Sequence, residues 1–226
     1  MCGEGRAALG TILDPGSRVH VVSNPYLLEI LTKLRSVDTP CHVFRQLLEE
    51  AGYLLGVEAS KSMGARSVKV KTPLGVEADG IVVDRSGLVV LAVVRAAIPM
   101  AMGFIRAHPT AMLGFAVARR VEEGERVYAV LDYFKAPCGR VLVVVDPMIA
   151  TGSTISLVLR RYVEECGRPE KTIVVGIIGT MYGVQKILEV DPRTEFYLLA
   201  VDPKLNDKWF IVPGLGDAGD RACCTT

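Results

Sequence analysis

The stretch Val141-Leu142-Val143-Val144-Val145-Asp146-Pro147-Met148-Ile149-Ala150-Thr151-Gly152-Ser153-Thr154 decides the fold. Five consecutive aliphatic residues without polar alternation suit a strand buried on both faces. An acid, a proline and several small residues follow, and a helical pattern then begins. That helix is expected over residues 153–166, with Ile155, Val158, Leu159 and Val163 turned inward. The same alternation extends both ways. Downstream, residues 173–178 read as a strand, 183–189 as a short helix and 196–201 as another strand. Upstream, 88–94 is continuously aliphatic, 97–106 is helix-like, 112–117 is apolar, and 126–134 suits a strand paired with its neighbour. Aliphatic strands separated by helices predict an α/β fold with a mainly parallel sheet flanked by helices.

The N-terminal part reads differently. A β-prone run at 19–22 is followed by Asn24-Pro25, which opens a helix with Leu27, Leu28, Leu31 and Leu34 on one face. A second helix starts at Asp38 or Thr39 as N-cap, with Pro40 in the first turn and Val43, Phe44, Leu47, Leu48, Ala51 and Leu55 as its stripe. Residues 67–83 then alternate with period two around Pro73-Leu74-Gly75, the pattern of a β-ribbon or hairpin. No repeat or interdomain linker is visible. The expectation is a single domain over 1–226, with residues 1–60 as a helical appendage.

Composition removes whole classes of function. Among 226 residues, 26 Lys plus Arg against 25 Asp plus Glu leave a net charge of +1. No large field draws polyanions, and no nucleic acid partner is expected. Half of the residues are hydrophobic, which excludes intrinsic disorder. The longest uncharged stretch, 172–185, is interrupted by glycines and falls short of the roughly 18 to 20 residues of a membrane span. Residues 1–16 lack a basic segment leading into an apolar one, so no secretory leader and a cytoplasmic location are expected. Six cysteines without a C-x-x-C spacing read by default as free thiols. Asn24, Asn206, Gln46 and Gln185 are the only amide side chains, a scarcity that points to a thermophilic chain and keeps an intracellular disulfide open.

The chemistry centres on the opening stretch. Residues 151–154 would place backbone N–H groups and hydroxyls at a helix N-terminus, where unpaired donors and partial positive charge suit a phosphate. Gly152 lets the backbone approach an anion closely. Asp146 would face sugar hydroxyls or, through water, a magnesium ion. In the plainer alternative, Asp146-Pro147 merely ends the strand and Ser153 or Thr154 caps the helix. No Gly-Lys-[Ser/Thr] is present, so a nucleoside-triphosphate P-loop is not expected. Near the C-terminus, Gly214-Leu215-Gly216-Asp217-Ala218-Gly219 fits the G-x-G-x-x-G pattern of a dinucleotide turn. That motif needs a following helix and an acid about 20 residues on, and only residues 220–226 follow. What remains is either a rigid loop whose main-chain groups read a small flat ligand or a glycine-rich surface tail.

Residues 146–154 closely resemble the 5-phosphoribosyl-1-diphosphate (PRPP) loop of phosphoribosyltransferases, in the variant with Asp-Pro where most of the superfamily has two adjacent acids. That variant resembles uracil phosphoribosyltransferase. Trp209-Phe210-Ile211-Val212-Pro213-Gly214-Leu215-Gly216-Asp217-Ala218-Gly219-Asp220-Arg221 is similar to the uracil-recognition segment of the same family. Val94-Arg95-Ala96-Ala97-Ile98-Pro99-Met100 resembles its arginine-alanine segment, and Arg120 matches its second arginine, with Arg119 one register away.

The resemblance implies a phosphoribosyltransferase-like fold with a hood, and the reaction of uracil with PRPP to give UMP and diphosphate in pyrimidine salvage. It implies PRPP binding by Arg95, Arg120, Asp146, Pro147, Met148, Ile149, Ala150, Thr151, Gly152, Ser153, Thr154 and Asp217. Uracil would be read by Ile211, Gly216, Asp217 and Ala218 within a base-recognition loop at 207–221. Arg95, Arg120, Asp146 and Asp217 would carry catalysis, and Mg²⁺ would arrive on PRPP without direct protein ligands. A homodimer or homotetramer is implied, as are GTP or CTP effectors; Gln46 and Glu50 stand where basic side chains would help hold a triphosphate. His20, His42 and His108 have no carboxylate at useful spacing and are expected to be structural. Two other readings stand beside this one. One is a transferase for another base. The other is a PRPP-binding regulator that binds RNA, against which the near-zero charge weighs.

Overall fold

The computed structural model describes residues 18–123 and 126–225; the side chains of Arg120 and of residues 122–127, and the N-terminal stretch read above for a leader, lie outside the described residues. The chain runs β1 (Val19–Val21), α1 (Pro25–Arg35), α2 (Cys41–Ala59), β2 (Ala65–Lys71), β3 (Glu77–Val83), β4 (Leu88–Val94), α3 (Ala97–Ala107), β5 (Met112–Glu123), β6 (Arg126–Lys135), β7 (Val141–Val145) and β8 (Met148–Ile149). It continues with α4 (Ser153–Cys166), β9 (Lys171–Val175), β10 (Ile178–Thr180), α5 (Met181–Leu188), β11 (Glu195–Leu198), β12 (Ala200–Asp202), β13 (Lys204–Leu205), β14 (Ile211–Val212) and α6 (Ala218–Cys223).

Seven strands form the central sheet in the order β1-β11-β9-β7-β4-β5-β6, parallel throughout except for β6. The aliphatic runs of β4, β7 and β9 have no polar face because helices cover both sides of the sheet there. Leu88, Val90 and Ala92 pack with α1, α2 and α3, whereas Val89, Leu91 and Val93 pack with α4 and α5 on the other side. The N-terminal segment shares this core: β1 is the edge strand against β11, and Leu27, Leu34, Phe44 and Leu48 are buried with the sheet residues. The ribbon expected at 67–83 forms from β2 and β3 in antiparallel register. It leaves Leu74 (89%), Ile81 (76%) and Val76 (60%) exposed.

Several elements differ from the sequence reading. The run at 173–178 breaks at Gly176, where a side chain would meet the Asp146 carbonyl oxygen at 2.8 Å. The run at 196–201 breaks likewise between β11 and β12. The chain thus steps from β7, β9 and β11 into a second parallel sheet, β12-β10-β8, at their carboxyl ends. Val163 is 37% exposed, and Tyr162 turns inward instead, accepting the Gly139 N–H at 2.9 Å. Pro40 occupies the N-cap position of α2, because the Thr39 hydroxyl donates to the Lys33 carbonyl at the end of α1. His20 does meet a carboxylate: Nε2 lies 3.2 Å from Glu195, and its ring stacks on Tyr197, at the sheet edge opposite Asp146. His108 is buried, its Nδ1 accepting from Arg85 at 3.0 Å and its Nε2 lying 2.8 Å from the Gly56 carbonyl, so it pins α3 to α2.

The free-thiol default is overturned for four cysteines. Cys41 pairs with Cys224 and Cys138 with Cys166, which among the described residues leaves Cys223 as an exposed thiol; Cys2 lies outside them. No helix among the described residues is long and apolar enough to cross a membrane.

Candidate active site

The step from β7 to β8 creates the site. Asp146 leaves the sheet edge, its own N–H bonded to the Val175 carbonyl, and the loop that follows is gripped from two sides. Met148 and Ile149 pair with Ile178 and Gly179, and the Thr180 hydroxyl donates to the Ala150 carbonyl at 2.7 Å. Gly152 has φ +74°, and a Cβ on it would lie 2.4 Å from the Gly183 carbonyl, so both the turn and the approach of α5 require glycine. Gly152 itself is the N-cap residue of α4 and has no side chain to cap the first turn, where only the Ser153 N–H is met, by Thr151 Oγ1 at 3.4 Å. The capping role considered for Ser153 or Thr154 is therefore not taken up; both lie inside that turn. The remaining N–H donors of that turn, on a 14-residue helix, have the chemistry that suits an anion.

These residues wall a cleft of about 430 Å³. Asp146 and residues 148–155 form its floor, Tyr182 and Lys186 of α5 one flank, Tyr128 and Ala129 of β6 another, and Trp209, Phe210, Ile211 and Asp217 the far side. Asp146 is largely buried, and desolvation pushes its carboxyl up to about 7 against the opposing pull of the Met148 N–H, 3.2 Å from Oδ1. Thr151 Oγ1 and Lys186 Nζ both donate to Ser153 Oγ, at 3.1 and 3.0 Å.

The opposing loop is held from below. Asp202 accepts two hydrogen bonds from Arg35, at 2.6 and 2.9 Å, and one from the Gly214 N–H at 3.0 Å. Arg35 also donates to the Gly214 carbonyl, and Arg221 to the Leu215 carbonyl, each at 2.7 Å. Arg221 further reaches the carbonyls of Leu34 and Ser36 and lies over the Phe44 ring. Two arginines thus fix the glycine turn against the α1–α2 junction. Asp217 then caps α6, Oδ1 accepting the Asp220 N–H at 2.9 Å.

The structure gathers Asp146, residues 148–154, Ile211 and Asp217 around one cleft. Pro147 does not line it; its carbonyl accepts the N–H groups of Ile177 and Ile178. Gly216 is exposed and Ala218 buried at the start of α6, both outside the lining. Arg95 follows β4, as the pattern implied, but its guanidinium is ion-paired with Asp220 at 2.9 Å. Arg120 is not at the sheet's carboxyl edge, where a strand-terminal arginine would be expected to face the ligand: parallel pairing of β4 with β5 ends at Val117, and Arg120 lies beyond it in the antiparallel ribbon, opposite Ala129. Its side chain is outside the described residues. Arg119 is paired with Asp132 at 3.0 Å. Trp209, Phe210 and Arg221 fall within the segment quoted for its resemblance, whereas Lys186, Arg35, Tyr182 and Tyr128 carried no readable sequence signal, because each acts across elements distant in the chain.

A doubly covered parallel sheet whose carboxyl edge combines an acid, a helix N-terminus and a facing glycine loop is the arrangement with which α/β folds bind phosphorylated ligands, phosphoribosyltransferases among them. Residues 21–225 match the family model described as uracil phosphoribosyltransferase. A uracil phosphoribosyltransferase of Pyrobaculum arsenaticum is 40% identical over 210 residues, covering 92% of this chain and 99% of that one. One of Pyrococcus furiosus is 42% identical over 203 residues, covering 88% and 86%. The solved structure of the AQ2163 protein from Aquifex aeolicus superposes with a TM-score of 0.81 at 30% identity, covering 90% of this chain and 97% of that one. The chain belongs to the uracil phosphoribosyltransferase family. Its reaction is a pentosyl transfer in which uracil and PRPP give UMP and diphosphate.

Proposed function

We propose that the cleft divides this reaction between its two walls: residues 151–154 hold the 5′-phosphate, Asp146 the ribose hydroxyls, and the loop at 207–221 the base. The observation that carries this reading is the single cleft joining an open helix N-terminus to Ile211 and Asp217. Main-chain groups at Ile211 and residues 216–218 read the uracil edge. They suit the task because Arg35 and Arg221 fix the turn, and a base lacking the complementary edge leaves buried groups unpaired. In the transfer, the bond from C1′ to the diphosphate oxygen breaks, the N1–C1′ bond forms, and N1 gives up its proton. Positive charge develops at C1′, so the chain acts by positioning and by charge. Asp217 supplies a carboxylate beside the base. Arg95 and Arg120 take the departing diphosphate. Arg95 is available for this because its pair with Asp220 is solvent-exposed and easily exchanged.

Asp146 and Asp217 are the two carboxylates on the cleft wall, among hydroxyls and main-chain groups, an oxygen-rich set that fits Mg²⁺ held through water. Bound with PRPP, Mg²⁺ would neutralise the diphosphate. The apolar residues on the exposed β2–β3 ribbon support a homodimer or homotetramer. A cytoplasmic location completes the reading.

The test is diphosphate release from PRPP with uracil, hypoxanthine and orotate in turn. Release with uracil alone is expected; release only with another base reassigns the substrate, and none with any base moves the chain to a PRPP-binding regulator.

Asp146 adds a pH dependence. Between its ordinary pKa of 3.8 and about 7, the folded protein holds a proton that the unfolded chain has released. The unliganded protein therefore loses stability as pH rises through that window. Asp146→Asn is expected to melt level with the parent near pH 4 and above it at pH 8. Its KM for PRPP should be raised, since a carboxylate accepts from ribose hydroxyls more strongly than an amide. Parallel melting curves at both pH values would remove Asp146 from the buried position described here.

A further inference from the structure

A 5′-phosphate carries close to two negative charges, whereas a helix N-terminus offers about half a positive charge and neutral donors. Lys186 is the one cationic side chain among the described residues that line the cleft. It is carried on α5, whose first turn is capped by Thr180 and whose Val184 and Ile187 are buried, and its main-chain carbonyl accepts from Ser156 of α4 at 3.3 Å. The two helices that clamp the phosphate loop therefore also fix the lysine. Its ammonium lies 3.0 Å from Ser153 Oγ.

The hydroxyl of Ser153 gives this contact chemical meaning. A serine hydroxyl has two acceptor lone pairs and one hydrogen. Lys186 Nζ and Thr151 Oγ1 both donate to it, so both lone pairs are occupied and only the hydrogen is left to offer. Ser153 can then serve an acceptor such as a phosphoryl oxygen and has no lone pair for a sugar hydroxyl. The same ammonium keeps two further hydrogens with no acceptor among the described residues.

We infer that Lys186 is the counter-cation of the 5′-phosphate subsite, both neutralising the phosphate and orienting Ser153 toward it. This rests on the division of the cleft proposed above. It makes Lys186 a residue that selects phosphorylated over unphosphorylated ribosides and that binds ground state and transition state alike. Its loss should therefore raise KM for PRPP with little change in kcat.

The experiment is calorimetric titration of UMP and of uridine into the parent protein, Lys186→Gln and Lys186→Arg. Charge-assisted hydrogen bonds of this kind translate into roughly 10- to 100-fold in affinity. Lys186→Gln is expected to weaken UMP by that factor and leave uridine unchanged, and Lys186→Arg to retain most of the preference. If the parent prefers UMP to uridine and Lys186→Gln keeps the full preference, the assignment of Lys186 is wrong and the cleft reading stands. If the parent shows no preference for UMP, both fall together. Equal weakening of UMP and uridine in Lys186→Gln overturns the assignment too, since it would mark a structural role.

Discussion

Asp217→Asn should lower turnover by about two to three orders of magnitude while the protein stays folded. The carboxylate has two tasks that the substitution separates. Through Oδ1 it accepts the Asp220 N–H and caps α6, and asparagine performs that task as well as aspartate. It also lines the cleft, where in the reading proposed above its negative charge offsets the positive charge growing on the ribose carbon, and asparagine has none. Unfolding curves that coincide, with diphosphate release nearly abolished, are the expected pair of results. Asp217→Ala would additionally lose the cap, at about 1 kcal/mol. Full turnover in Asp217→Asn would take this residue out of the chemistry.

The second large effect concerns the bond between Cys41 and Cys224, which are 183 residues apart, whereas Cys138 and Cys166 are 28 apart. In the chain-entropy description, closing loops of these sizes contributes roughly 5 and roughly 4 kcal/mol. Cys41→Ser is therefore expected to lower Tm by on the order of 10 °C. The two bonds differ more in where they act. Cys224 directly follows α6, which Asp217 caps, while Arg45 donates to the Ala222 carbonyl at 3.0 Å beside it. Releasing this end loosens the loop proposed to read the base, so Cys41→Ser should also raise KM for uracil severalfold. Cys138→Ser should lower Tm and leave KM alone. A reducing agent added to the parent protein should reproduce both changes together. Unaltered melting after reduction would mean that neither bond contributes.

How much of this was legible in the sequence depended on the range of the interaction. Strands such as β4 and β7 were readable because burial on both faces leaves an unbroken aliphatic run, and the phosphate loop because its small residues sit between such a run and a helix. Breaks within an aliphatic run were not, since residues on either side of Gly176 or Leu199 look alike and only the approach of another strand separates them. Tyr162 was passed over for Val163 because hydropathy ranks the valine higher, although the tyrosine hydroxyl has the Gly139 N–H to satisfy. Arg35 and Arg221 were invisible as loop supports because their acceptors lie far along the chain or on main-chain carbonyls. Lys186 was passed over for the same reason, its partner being 33 residues away. Spacing alone could not pair the cysteines.

The pairing of β1 with β11 sets an order of assembly on the ribosome. Val19 meets Phe196, so β1 must wait, with its inner edge unpaired, until β11 has emerged. Residues 146–154 are available earlier than residues 211–217, so a growing chain carries the part proposed for the phosphate before the part proposed for the base. Cys224 comes later still, and its bond to Cys41 can close only on chains that already carry both.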